Sequence, residues 1–579
     1  MSKPEKGSSL YKLRHSAAHV LAQAIMRLFS DVKLAIGPVT EHGFFYDLTT
    51  SMPITESDLP RIEEEMRKIV AQKYSISGRR VAKAEALEIY KNNQFKTDII
   101  NRIEDEEVSI YSQGEFFDLC HGNHTDTTGA VKFFKLMGVS GSYWKGAKEN
   151  VQLQRISGVC FETESQLKEH LEFLELAKKN DHRVLGKDLN LFFFSEHSPG
   201  MVFFKPKGTI VFNLLVDLVR KIQTKFGFVE IKSPLVLKED MWHTSGHYEN
   251  YKENMFFSNA GDEKFCIRPM NCPCAVLTFK NDFYSYNNLP LRMAEFGLVH
   301  RYELSGALHG LSRVRSFTQD DAHTFCTEDQ IESEVIRDME LAKEIYSYFK
   351  FKEIKYLIST KPEKSIGDDE SWDIATKALK NALEKLNLPF EVCEGEGAFY
   401  GPKIELQIKD FIGRWWTCAT VQIDFFLPQR FELEYVDADQ SRKAPIMIHR
   451  AILGSIERFF SIILEDYQGW LPFWLSPVQF SILTISEKQK EFAESLDLKM
   501  KEFGLRPEVD ASSETISSKI RKSVAQKIPF ALVIGAKEVE NNVVTIRLPD
   551  GKQIQNVGLE RLEALRSIRD SSELIGLFS

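Results

Sequence analysis

The chain has 579 residues, with 74 Lys and Arg against 83 Asp and Glu, for a formal net charge of −9. At 43% apolar and 27% charged it has the make-up of an ordinary globular protein, too long for one core, so three or four domains are expected. No run of about 18 apolar residues occurs, which argues against a membrane span. The eight cysteines are scattered without a disulfide framework, as in a reducing compartment. The opening MSKPEKGSSLYKLR lacks the apolar stretch of a signal peptide. Together these features predict a cytoplasmic protein. An acidic balance neither demands nor excludes a nucleic-acid partner, because local basic patches suffice for binding.

Residues 1–160 read as a first domain. It opens on a helical pattern, SAAHVLAQAIMRLF, with Val20, Ile25 and Phe29 as its apolar stripe. His15 and His19 are four apart and share one helix face. Further on, FFDLCHGNHTDTTG sets Cys120 and His124 at the same spacing in a Gly-containing loop. The two pairs would supply four ligands to a tetrahedral zinc. Residues 161–182 are charged and helical with a Leu167, Leu171, Leu174 stripe, which reads as a linker helix.

A larger domain is expected over 183–474. FGFVEIKSPLVLKEDMW alternates into Pro234; TSGHYENYKENMF follows with His247, then FCIRPMNCPCAV with Cys272. Leu291 to Cys326 reads as strand, polar loop, strand. Val299, Arg301 and Glu303 alternate in the first run; Arg313, Arg315, Phe317, Gln319, Asp321 and His323 alternate in the second. Residues two apart in a strand share a face, so guanidiniums, a ring, an amide, a carboxylate and an imidazole fall together. Val314, Ser316, Thr318 and Ala322 take the other face and can pack. Guanidinium forks match phosphate oxygens, and Phe317 beside them suits stacking on a purine.

GEGAFYGPKIEL then places glycines on either side of Tyr400 and Lys403, and RWWTCATVQIDFFLP reads as a strand with Gln422 and Asp424 on one face. In KAPIMIHRAILGSIERFFSIILEDY, His449 is expected where a strand gives way to a helix. Ile452, Ile456, Phe459 and Ile463 would pack that helix beneath the sheet, Gly454 would allow close approach, and Arg458 would reach a nucleotide. Residues 475–579 read as a separate α/β domain. Its strands are SPVQFSILTI, PFALVIG and VVTIRLP, its helices 487–503, 516–527 and 558–569, and SKIRKSVAQK is a basic patch on the second helix.

Arg301-Tyr302-Glu303 followed by Arg313 and Phe317 resembles motif 2 of the class II aminoacyl-tRNA synthetases. The strand into Pro234 resembles motif 1, and Gly454 with Arg458 resembles motif 3. LSGALHGLSRVRSFTQDDAHTFC is similar to the threonyl branch in particular, and the first domain, with IGPVTEHGFFYDL and SYWKG, to the editing domain of threonyl- and alanyl-tRNA synthetases. The resemblance covers nearly the whole chain from His15 onward. It implies an α+β multidomain fold: an editing domain, an antiparallel-sheet catalytic domain and a C-terminal α/β anticodon-binding domain.

The implied reaction is activation of L-threonine with ATP and transfer to tRNA(Thr), by a homodimer built through motif 1, with no membrane partner. Arg301, Glu303, Arg313, Phe317 and Arg458 would bind ATP with Mg²⁺, and Arg301, His247, Lys403 and Arg458 would be catalytic. Gln319, Asp321, Tyr400 and Gln422 would surround threonine, and Cys272, His323 and His449 would hold one zinc per subunit. Such a metal makes chemical sense. An apolar pocket separates near-isosteres such as threonine and valine by only ~100-fold, whereas a metal that takes up the hydroxyl rejects valine. Serine keeps the hydroxyl, so a hydrolytic second site is needed. His15, His19, Lys96, Asp118, Cys120 and His124 would form it, and here the resemblance favours a metal-free, water-activating site over the four-ligand zinc. Glu538 and Arg547 match anticodon-contact positions. Thr417 and Ser513 depart from the family pattern, where Gln and Asn stand. Only about a dozen residues precede the editing part, where the family usually has a small further domain. A non-catalytic, RNA-binding paralogue is the alternative.

Overall fold

In this computed structural model, residues 4–567 are described, apart from His42, Lys148 and Lys350. Two compact units divide the chain after Leu176.

The first unit begins with α1 (Ser9–Leu28), started by the Ser8 side chain, which accepts the Tyr11 N–H. Its buried face, from Leu13 through Val20 to Ile25, packs with α2 (Leu59–Gln72). Both rest on an antiparallel sheet of β1 (Lys33–Leu34), β2 (Phe44–Thr49), β7 (Gln152–Phe161) and β6 (Phe133–Tyr143), in that order. A second sheet joins β3 (Ile76–Ala82), β4 (Glu107–Gln113) and β5 (Phe116–Leu119). Asn93 accepts two backbone N–H groups to start α3 (Gln94–Arg102), which carries Lys96 in its first turn. The helix expected at 161–182 is α4 (Glu164–Lys179), with no buried residue.

The second unit starts with α5 (His182–Asp188) and α6 (Pro206–Lys225). Its centre is an eight-stranded sheet of β8 (Val229–Glu230), β9 (Leu291–His300), β10 (Ser316–Cys326), β11 (Ile354–Ser359), β12 (Phe390–Cys393), β13 (Lys403–Lys409), β14 (Trp415–Asp424) and β15 (Ile446–Ser455). The spatial order is β8-β9-β10-β15-β14-β13-β11-β12. All neighbours are antiparallel except the two outermost pairs. α6, α8 (Ile331–Tyr346) and α9 (Ile456–Asp466) bury Val211, Leu215, Val335, Ile345, Phe459 and Ile463 in one core with the sheet. α7 (Cys272–Lys280) lies between β8 and β9 in the chain.

The C-terminal part of this unit has a sheet ordered β17-β16-β18-β19-β20. Its strands are β16 (Phe480–Thr484), β17 (Pro507–Asp510), β18 (Phe530–Ile534), β19 (Val543–Arg547) and β20 (Gln553–Gly558). Its helices are α10 (Lys490–Glu502), α11 (Ile516–Ala525) and the short α12 (Ala536–Asn541).

Several expectations are corrected. β9 ends at His300, so Arg301 and Glu303 sit in the loop beyond it, and Arg313 and Arg315 precede β10. His449 lies mid-strand, because β15 continues to Ser455, and Ile452 and Gly454 belong to that strand rather than to the helix. The close approach at Gly454 is to a strand: at φ +76° an added Cβ would stand 2.8 Å from the Cys418 carbonyl oxygen. The last expected helix is a 3-10 segment, Leu559–Ser567, and residues 568 and 569 lie outside the described residues. The basic patch loses Lys519, which is buried and donates to the Thr484 and Asp510 carbonyls.

Candidate active sites

Backbone register assembles the centre of the catalytic sheet. Met293, His323, His449, Gln422 and Lys403 are successive partners across β9, β10, β15, β14 and β13. They form one row of side chains on one face. Cys272, at the start of α7, reaches the same place, and the donor atoms of Cys272, His323 and His449 lie within 4.8 Å of one another. All three residues are buried. The His323 Nε2 is buried without a hydrogen-bond partner, and His449 Nε2 lies 3.0 Å from Asp424 Oδ2, the kind of carboxylate that orients a metal-binding imidazole. Burial holds the His323 ring well below its usual pKa and pushes the Cys272 thiol well above its own. Two imidazoles, one of them with an unpartnered Nε2, and a cysteine sulfur fit a zinc with an open position.

Of the residues expected around threonine, Tyr400 and Gln422 lie beside His449. Tyr400 donates to Gln422 Oε1 at 2.7 Å, and its ring centroid is 5.4 Å from that of His449. Asn271 donates to Asp321 Oδ2 at 3.0 Å, and Gln319 stands two residues before Asp321 on the same strand face. His247 opens a short helix, accepts from or donates to Ser245 Oγ at 2.8 Å, and lines the same small pocket as Cys272, Tyr400 and His449. Burial lowers its pKa to about 4, so the ring is neutral near pH 7. Lys403 is engaged with Glu405 at 3.0 Å. Thr417, where the family pattern has Gln, accepts from Gln407 across the ladder at 3.0 Å.

The arginines meet at the strand ends. The Arg301 guanidinium lies 5.2 Å from the Phe317 ring centre and 5.5 Å from that of Tyr251. Arg313 is ion-paired with Glu303 at 2.9 Å. Arg458, in the first turn of α9, donates from Nε to the Ser312 carbonyl at 3.0 Å. Burial lowers its pKa, and the nearby Arg313 and Arg301 charges act in the same direction. Three cations so placed invite a polyanion. Arg315 leaves this group: it is buried, donates to the Glu303 and Pro199 carbonyls and Ser305, and stacks on Tyr302. Its part is to hold the loop.

In the first unit, all six expected residues line or adjoin one cavity of about 390 Å³. His15, His19, Cys120 and His124 have donor atoms within 4.8 Å of one another. Cys120 Sγ is 3.5 Å from His15 Nε2 and 3.2 Å from His124 Nε2, and it accepts from the Gly122 N–H. Lys96 Nζ is 2.6 Å from Asp118 Oδ1, and Tyr46 donates to the other Asp118 oxygen. Burial raises the Cys120 thiol to about 11 and lowers all three imidazoles. The thiol is therefore protonated near neutrality and the rings are free bases. Sequence reasoning passed over Tyr46 and left Asp424 without a role. Alternation placed Asp424 on the right face, but nothing local marked Tyr46.

In the C-terminal part, Glu538 accepts from the Gly535 N–H at the start of α12 and from Thr545. Arg547, at the end of β19, donates to the Gly551 carbonyl.

Residues 254–467 match the family described as tRNA synthetase class II core domain (G, H, P, S and T). Residues 479–566 match an anticodon binding domain, and 108–157 the threonyl and alanyl tRNA synthetase second additional domain. The sheet with its strand-end arginines is thus a class II aminoacyl-tRNA synthetase core. A threonine–tRNA ligase of Caldanaerobacter subterraneus is 50% identical over 546 residues, covering 94% of this chain and 84% of the relative. That of Thermotoga neapolitana is 47% identical over 551 residues, covering 94% and 86%. A crystal structure of the RNA binding domain of threonyl-tRNA synthetase from Cryptosporidium parvum is 42% identical with a TM-score of 0.65, covering 68% of this chain and all of that one. The chain belongs to the threonine–tRNA ligase family.

Proposed function

We propose that the protein activates threonine with ATP and charges tRNA(Thr), and that its first unit hydrolyses mischarged seryl-tRNA(Thr). In the first step a threonine carboxylate oxygen attacks the α-phosphorus, the mixed anhydride forms and pyrophosphate leaves. In the second, the terminal ribose hydroxyl of the tRNA attacks the carbonyl carbon and AMP leaves. Both steps need positioning and charge neutralisation more than covalent help. Arg301 takes the α-phosphate, Arg313 and Arg458 the outer phosphates with Mg²⁺, and Phe317 the adenine. Glu303 releases Arg313 to the phosphates and turns to the base. Gln319, Asp321, Tyr400 and Gln422 hold threonine, Lys403 adds charge at the end of the row, and neutral His247 assists the ribose hydroxyl as a base.

Cys272, His323 and His449 would hold a zinc, which when bound would take the amino and hydroxyl groups of threonine and leave valine without a partner. In the first unit, neutral His15, His19 and His124 activate water without a metal, while Lys96 and Asp118 orient the ester and Cys120 lines its site. Glu538 and Arg547 face the anticodon. Motif 1, around β8 and Pro234, joins two copies, and the cytoplasm is the working compartment. Among the described residues no helix is long and apolar enough to cross a membrane.

The observation that carries this reading is the buried Cys272, His323, His449 cluster, whose histidines sit on β10, the strand after the Arg301–Arg313 loop, and β15, the strand that leads into the Arg458 helix. Among the described residues no arrangement favours a non-catalytic RNA-binding paralogue. The test is amino-acid-dependent ATP–pyrophosphate exchange with threonine, serine and valine, with and without a zinc chelator. Exchange with threonine, less with serine, none with valine and loss on chelation are expected. Equal rates for threonine and valine would sink the metal-sorting account.

A further inference from the structure

A second buried cluster lies outside the sites above, where α5, α9 and the loop before β10 meet. His182, only 1% exposed, is the first residue of α5. Its Nδ1 stands 2.6 Å from Glu465 Oε1, and the same oxygen accepts the His182 backbone N–H. Its Nε2 accepts the backbone N–H of Leu311 at 3.0 Å. A backbone amide can only donate, so Nε2 carries the lone pair and Nδ1 the proton, which goes to Glu465. The tautomer is thereby set. Both ring nitrogens are used, so the grouping of Asp181, His182 and Glu465 offers no free imidazole donor to a metal. Asp181 lies 3.9 Å from Nδ1 and is paired with Arg183, Arg414 holds the other Glu465 oxygen at 2.6 Å, and the His309 ring is 5.6 Å away.

The turn that His182 touches, Gly310–Ser312, leads directly into Arg313. Gly310 has φ +48°, and a Cβ there would stand 2.1 Å from His182 Nε2, so the ring is pressed against the turn. The next residue but one is held from the other side, since the Ser312 carbonyl accepts from Arg458. Glu465 and Arg458 are both on α9, and a third α9 residue, Glu457, accepts the Thr318 N–H with both oxygens. One helix thus grips the segment 311–318 at three points, and the grip at Leu311 passes through His182.

We propose that His182 is a positioning residue for the ATP-binding loop, fixing the Gly310–Ser312 turn and with it the path of Arg313. This rests on the assignment of Arg313 and Arg458 to ATP. Two variants separate the roles of the ring nitrogens. His182→Asn keeps a donor toward Glu465 but has no acceptor for Leu311; His182→Gln brings an oxygen near the Nε2 position. Misplacement of a binding group by about 1 Å costs up to about 100-fold, so a partial loosening should raise KM for ATP about tenfold in H182N. KM for threonine should move less than about twofold, and H182Q should stay within about twofold of the parent protein on both.

Hydrogen exchange of the 305–313 segment reads the clamp without any activity, and should quicken in H182N but not in H182Q. Equal ATP KM values in the two variants, or unaltered exchange in H182N, would overturn the proposal. Absence of any ATP-dependent reaction in the parent protein would overturn the ATP-site assignment instead, with hydrogen exchange still deciding whether the clamp exists.

Discussion

Lys96 and Asp118 form an ion pair 2.6 Å long with side chains only 3% and 4% exposed. A pair this deep is worth little more than two apolar residues while intact, yet losing one partner strands the other charge. Lys96→Met should therefore destabilise the first unit by about 3–5 kcal/mol in denaturant unfolding, with Asp118→Asn recovering much of the loss in the double variant. A single-variant cost below about 1 kcal/mol would show that water reaches Asp118.

Cys120 is protonated at neutral pH and sits among three free-base imidazoles. Cys120→Ala and His15→Ala should leave threonine-dependent pyrophosphate exchange unchanged. His15→Ala should slow hydrolysis of seryl-tRNA(Thr) by about 100-fold or more, as expected for loss of a positioned base. Zinc per chain, measured by mass spectrometry, should be equal in the parent and Cys120→Ala proteins. A fall by one ion would establish a metal in the editing cavity.

His247 titrates at about 4 because burial disfavours its cation. A base with that value is lost only as pH falls through about 4, so aminoacyl transfer should be flat in this limb from about pH 5 upward. His247→Ala should cut transfer by about 100-fold while sparing pyrophosphate exchange. Equal losses in both steps would assign the ring to adenylate formation.

Glu457 is buried beneath Thr318, and desolvation raises its carboxyl from the usual 4.5 to about 7. Between those values the unfolded chain has released its proton and the folded one has kept it. Stability must then fall as pH rises through this window, by about 3 kcal/mol at most. The difference in unfolding free energy between the parent and Glu457→Gln proteins, followed from pH 4.5 to 7, should show that slope. A pH-independent difference would mean that Glu457 ionises normally.

Much of the catalytic centre was legible because β-strands write themselves in alternation. Phe317, Gln319, Asp321 and His323 share a face as their spacing required, and Gln422 and Asp424 do the same on β14. Strand ends were not legible. Arg301 and Glu303 continue the alternating pattern past His300, although the backbone has already left the sheet. Arg315 fell on the expected side in sequence, but carbonyls distant in the chain capture it. Lys519 read as surface charge on a basic helix, and only the packing of α11 on β16 makes it a buried donor. Such errors share one cause: long-range partners decide where a polar side chain ends up, and local pattern carries no trace of them.

The row running from Met293 to Lys403 has a consequence for how the enzyme divides its labour. Groups drawn from five hydrogen-bonded strands can shift only if the sheet itself deforms, so on the proposed assignment amino-acid choice would rest on the backbone ladder itself. Arg301 and Arg313, the residues proposed for the phosphates, lie instead in the loop at its margin. On the proposed roles, selectivity would rest on the ladder of the sheet, and phosphate binding on a loop that α9 and His182 brace from outside it.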